Sequence, residues 1–111
     1  MSCCRVRNQC LVIRLPGEID HCQAEIIRKE CEILFFKSLI RDVILDFTNT
    51  TFMDSSGIGL ILGRVQQMKQ VDGRVFLFGG NASIRKMWEM SGVLSLVTIL
   101  NTVEEMKEVY R

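Results

Sequence analysis

The sequence predicts an α/β fold, a mixed and mostly parallel β-sheet packed with about four helices. Three observations carry that expectation. From residue 20 onward, short apolar runs alternate with longer segments whose apolar residues recur at helical spacing, and such alternation implies parallel strands joined by right-handed crossovers. Before residue 20, two apolar runs are separated only by Asn8 and Gln9, which suggests a hairpin and hence at least one antiparallel neighbour. The chain has 111 residues, 48% hydrophobic and 24% charged, with no repeat or linker. That size suits one core, and we read residues 1–111 as one domain.

Residues 3–8 read as a weak strand and 11–15 as a better one, with Leu11, Ile13 and Leu15 on one face and Val12 and Arg14 on the other. Pro16 and Gly17 stop it. Glu18-Ile19-Asp20-His21 then reads as a loop bringing two carboxylates to a helix that Asp20 can N-cap. Over 22–36, Ala24, Ile27, Cys31 and Leu34 recur at helical spacing, with Ile33 and Phe35 widening the stripe. Residues 41–47 hold Val43, Ile44, Leu45 and Phe47 broken only by Asp46, as expected of a central strand covered on both faces.

A polar tail over 48–51 leads to FMDSSGIG, residues 52–59, which opens a second helix near Gly57. Ile58, Ile61, Leu62, Val65 and Met68 form its apolar stripe, while Arg64, Gln66, Gln67 and Lys69 are expected to point away. Gly73 ends it, Arg74–Phe78 is another buried strand, and Gly79-Gly80-Asn81 is a turn. A short third helix over 82–90 buries Ile84, Met87 and Trp88 and stops at Ser91-Gly92. Residues 94–100 read as a last strand. Thr102 and Glu105 form a capping box for a C-terminal helix carrying Val103, Met106 and Tyr110.

Composition excludes several functions. A net charge of +1 with interspersed signs offers no footprint for nucleic acid or an anionic membrane. No run of about 18 apolar residues occurs, and MSCCRVRNQC lacks signal-peptide features, so a cytoplasmic location is expected. The five cysteines are odd in number and lack CxxC spacing, which fits a reduced compartment. Cys10, Cys22 and Cys31 are expected to fill apolar sites, and Cys3 and Cys4 to be exposed and at most an oxidation liability. With His21 as the only imidazole there is no recognisable metal-ligand set, and no GxSxG accompanies it to suggest a hydrolase.

Gly57, Gly59 and Gly63 make GxGxxxG where a dinucleotide fingerprint wants GxGxxG, and no GK[ST] is present. A nucleotide-binding domain therefore stays a weaker alternative to close packing of a helix on the sheet. Glu18, Asp20 and Asp54 lie on loops, but nothing places them in a pocket for acid/base work. Neither enzyme activity nor a cofactor is required.

What remains is the serine pair. Ser55 and Ser56 lie at or just before the second helix's first turn, where one of them could serve as its N-cap. A hydroxyl there is also accessible to a kinase. The phosphate would carry about −1.5 to −2 charges, which helix amides and dipole tolerate. A partner docked on the loop would not tolerate it. Desolvating or opposing that charge costs about 3 to 5 kcal/mol, roughly two to four orders of magnitude in affinity.

LPGEID (15–20), FMDSSGIGLILGR (52–64) and KMWEMSG (86–92) carry a resemblance that runs from about residue 10 to the C-terminus. The chain resembles the STAS-domain anti-sigma factor antagonists, in particular the bacterial sporulation anti-anti-sigma factors. The resemblance implies the STAS fold and a partner-switching role in transcription regulation. The unmodified antagonist would bind an anti-sigma factor that is also a serine kinase using ATP, and so release its sigma factor. Phosphorylation would end the complex, and a metal-dependent serine phosphatase would restore it. The serine after the aspartate of DSSG is the family's phosphoacceptor, which is Ser55 here. The partner-binding positions implied are Asp20, Asp54, Ser56, Gly57, Ile58 and Gly59. Pro16 and the cysteine-rich start depart from the family pattern. A STAS module in another assembly, such as a stress-signalling complex, is a further alternative.

Overall fold

The computed structural model describes residues 3–111. Its main sheet has five strands. β1 (Cys4–Arg7) and β2 (Cys10–Arg14) form the antiparallel hairpin, turning through Asn8 and Gln9 at φ +48° and +65°, the pair of positive angles that a two-residue hairpin turn requires. β2, β4 (Asp42–Asp46), β6 (Arg74–Phe78) and β7 (Thr98–Leu100) then pair in parallel. The mixed, mostly parallel sheet is as expected.

Register decides what each face does. Leu11, Val43 and Val75 form one row and Ile13, Leu45 and Leu77 another, all buried on the face shared with Ile27, Cys31, Ile61, Val65, Met68, Ile84 and Trp88. Three helices supply those residues: α1 (His21–Lys37), α2 (Ser55–Lys69) and α3 (Ala82–Ser91). Trp88 stands edge-on to Phe47, with ring centroids 5.1 Å apart. The opposite face presents Cys10, Ile44, Phe76 and Leu100 to Met106, Val109 and Tyr110, the last three on α4 (Val103–Tyr110). Burial pushes the Cys10 thiol up to about 12, as befits a core filler. The Thr102–Glu105 capping box is present at the start of α4.

Several expectations need correction. The presumed loop at 18–21 and the first two residues of FMDSSGIG hold two-residue strands, β3 (Glu18–Ile19) and β5 (Phe52–Met53), which pair in parallel as a second small sheet. Two residues are too few to show a period. The run 94–100 begins inside a 3-10 turn, Val93–Ser95, and holds only three strand residues, Thr98–Leu100. Gly92, in the left-handed region at φ +82°, ends α3, and Ser95 Oγ then donates to its carbonyl.

On α1, Ile33 faces solvent, since it lies two residues, about 200° of helix, from buried Cys31. Cys22 is exposed in the first turn, so it fills no apolar site, whereas Cys3 and Cys4 are half-buried against the core. Arg64, expected to point away, is 3% exposed. By spacing it belongs with Leu60, Ile61, Val65 and Met68 on the inner face, and its residue type misled.

Candidate functional site

The site is built on β3 and β5. Thr51 and Phe52 both donate their backbone N–H to the Gly17 carbonyl, at 2.8 and 3.3 Å, and Thr50 Oγ1 donates to the Pro16 carbonyl at 2.8 Å. Pairing then sets Glu18 beside Phe52 and Ile19 beside Met53, and the Asp54 N–H donates to the Ile19 carbonyl at 3.1 Å. An aspartate follows each strand directly, and each aspartate begins a helix. Asp20 N-caps α1 by accepting from the Gln23 N–H at 2.9 Å, and Asp54 N-caps α2 by accepting from the Ser56 N–H at 2.8 Å. Two helix N-termini therefore open side by side.

This arrangement frees the serine pair from capping. Asp54 is the cap, so Ser55 is the first residue of α2 and lies exposed at its N-terminus. Ser56 is half-buried, facing the groove between α1 and α2 that His21, Ala24, Glu25, Arg28, Gly59 and Gly63 help to line, a hollow of about 210 Å³. Arg28 pairs with both Glu25 and Glu32 along the α1 wall. Asp20, Ser55 and Gly59 are exposed, and Asp54 and Ile58 are half-buried.

Gly57 is buried and presents no surface. A β-carbon there would stand 2.6 Å from Met53 Sδ and 3.3 Å from Met53 Cβ, so glycine is what lets α2 start this close to β5. At Gly59 and Gly63 an added β-carbon would meet nothing within 4 Å; these two glycines border the groove and do not pack on the sheet. The turn also suits a nucleotide phosphate poorly, because the Asp54 side chain takes the Ser56 N–H and its carbonyl takes the Gly57 N–H at 3.0 Å.

Two apolar side chains on β5 and α2 lie at the surface without the sequence marking them as surface residues. Phe52, just before the Asp54 cap, is 55% exposed, and Leu62, about two turns along α2 from Ser55, is 39% exposed. Spacing alone puts Leu62 in the core stripe. For Phe52 the signal is alternation with Met53, which points inward.

The STAS-domain family model matches residues 4–106. The chain belongs to the STAS family. This STAS domain is 38% identical to the anti-sigma F factor antagonist of Lysinibacillus sphaericus over 88 residues, 79% of this chain and 75% of that one. Among solved structures it is similar to the unphosphorylated anti-sigma factor antagonist SpoIIAA, with a TM-score of 0.82 and 35% identity over 94% of this chain and 89% of the other. The phosphorylated form of the Bacillus cell fate determinant SpoIIAA matches with a TM-score of 0.77 and 35% identity over 96% of each chain. Among the described residues, no helix of this STAS domain is long and apolar enough to cross a membrane.

Proposed function

We propose that this STAS domain is an anti-sigma factor antagonist of the sigma-F type, a binding protein without catalytic activity of its own, switched by phosphorylation of Ser55. The observation that carries the reading is the position of Ser55: exposed, first in α2, directly after the capping Asp54 and beside the N-terminus of α1. Its likeness to a protein seen in phosphorylated and unphosphorylated forms supports the same reading. The unphosphorylated domain binds an anti-sigma factor in the cytoplasm. Asp20, Asp54, Ser56, Ile58 and Gly59 border the contact, Phe52 and Leu62 add apolar area, and Gly57 sets the loop's height from beneath. The anti-sigma factor is also the kinase and carries the ATP, and a serine phosphatase reverses the modification.

The test is direct. The protein is incubated with ATP and the sigma-F-type anti-sigma kinase of the same genome, and phosphate is mapped by mass spectrometry. One phosphate on Ser55, absent from Ser55→Ala, is the expected result. Phosphate on another residue, or a labelled Ser55→Ala, refutes the site.

A further inference from the structure

Away from the acceptor loop, the start of β1 meets the middle of α1 in a cluster of thiols and a carboxylate. Cys3 Sγ lies 3.9 Å from Cys4 Sγ and 3.9 Å from Glu30 Oε1. The ligand atoms of these three residues all lie within 4.8 Å of one another, the only such group of histidine, cysteine or acidic donors among the described residues. Cys31, the next residue of α1, brings a further thiol beside Cys4, although it lies outside the group whose donor atoms are all within 4.8 Å of one another. In sequence these donors form two adjacent pairs far apart and match no ligand motif; the fold brings them together. Cys3 precedes β1, so the alternation that sends neighbouring strand side chains to opposite faces does not separate it from Cys4.

The dimensions suit a thiophilic ion. With metal–sulfur bonds of about 2.3 Å, two sulfurs of a tetrahedral zinc site stand about 3.8 Å apart, which the Cys3–Cys4 pair already matches. A sulfur and a carboxylate oxygen stand about 3.5 Å apart in such a site, so Glu30 has to close by a few tenths of an ångström on Cys3, at 3.9 Å, and to come in from within 4.8 Å of Cys4. All three residues are half-buried, within reach of an entering ion and partly shielded from water.

A second observation comes from α2. Arg64 is 3% exposed; its Nε donates to Gln67 Oε1 at 2.6 Å and its guanidinium hydrogen-bonds the Cys31 thiol, while Nη1 has no acceptor. A neutral thiol is a weak acceptor, while a thiolate is a strong one for a guanidinium. A divalent ion held by several anionic ligands also leaves excess negative charge, which a buried guanidinium offsets. The buried guanidinium thus stands against the thiol that backs the cluster, with one N–H still free to serve it.

We propose that Cys3, Cys4 and Glu30, backed by Cys31, form a site for a thiophilic divalent cation such as Zn²⁺, which fastens the start of β1 to α1. Binding displaces the thiol protons to solvent. The proposal does not depend on Ser55 or on any partner. Its test is titration of the reduced protein with Co²⁺, a spectroscopic stand-in for Zn²⁺. One equivalent should bind with thiolate-to-cobalt charge-transfer absorption and visible bands of tetrahedral intensity. Zn²⁺ should abolish both and raise the melting temperature.

Because Cys31 is fully buried, the decisive variants are Cys3→Ser and Glu30→Gln, each expected to lose more than about tenfold in Co²⁺ affinity. Cys22→Ser, exposed in the first turn of α1, should bind as the parent does. Absence of a charge-transfer band at saturating Co²⁺, or its persistence in the Cys3→Ser/Cys4→Ser double variant, overturns the proposal.

Discussion

Asp54, Ser55 and Gly57 divide three tasks within four positions. The carboxylate of Asp54 satisfies a first-turn amide, which leaves the Ser55 hydroxyl outside the helix's own hydrogen bonding. Gly57 lowers the turn onto Met53, so the serine is presented at a fixed height above the sheet. The glycines of α2 should therefore respond to alanine with opposite signs. At Gly57 the new methyl meets a methionine that is itself buried, and overpacking of this kind costs about 1 to 3 kcal/mol. At Gly59 the methyl meets nothing and raises helix propensity, a gain of up to about 1 kcal/mol. Urea denaturation of Gly57→Ala and Gly59→Ala measures both. Equal shifts in the same direction would contradict the close approach at Gly57.

At the scale of elements, the small β3–β5 sheet ties two helix starts together, so α1 matters to a serine that sits on α2. Asp20→Ala removes the acceptor for the Gln23 N–H and should cost about 1 kcal/mol of stability. Thr102→Ala breaks the capping box of α4 and should cost a similar amount far from Ser55. The two differ in function: Asp20→Ala should also slow phosphorylation of Ser55 by the kinase, and Thr102→Ala should not, as initial rates in a phosphate-incorporation assay can show. Equal rates for the two variants would remove Asp20 from the contact surface. The elements legible in the sequence are those with a period or a terminal signal. The helices announce themselves by apolar spacing and by Asp20, Gly92 and the Thr102–Glu105 pair, and the central strands by their continuous apolar runs. β3 and β5 are hidden because two residues carry no period and their pairing is between segments 34 residues apart in register. Arg64 is misplaced by a reading in which charge outweighs spacing, and Leu62 because its apolar side chain and helical spacing both suit the core stripe although it lies 39% exposed. That a helix starts at this segment is legible, but which residue caps α2 is not, since Asp54, Ser55 and Ser56 are all competent caps.

For the whole molecule, the consequence is that the fold and the proposed switch are separable. The core on both sheet faces is assembled from residues of β2, β4, β6 and the inner faces of the helices, and Ser55 contributes nothing to it. A negative charge at Ser55 is next to the Asp54 carboxylate, which disfavours it, but it also stands at the positive end of α2 and in solvent, which limits the cost. Ser55→Asp should accordingly keep its circular dichroism spectrum and melt within a few degrees of the parent. Binding is different, because closing a partner over the loop strips water from the added charge and sets it among Asp20 and Asp54. A penalty of about 3 to 5 kcal/mol for an uncompensated charge in an interface corresponds to a fall of roughly two to four orders of magnitude in affinity for the anti-sigma factor. Isothermal titration of the two proteins against the same partner measures that ratio. A folded Ser55→Asp that binds as tightly as the parent would mean that the partner either supplies a cation to this position or does not cover it, and the electrostatic account of the switch would fall.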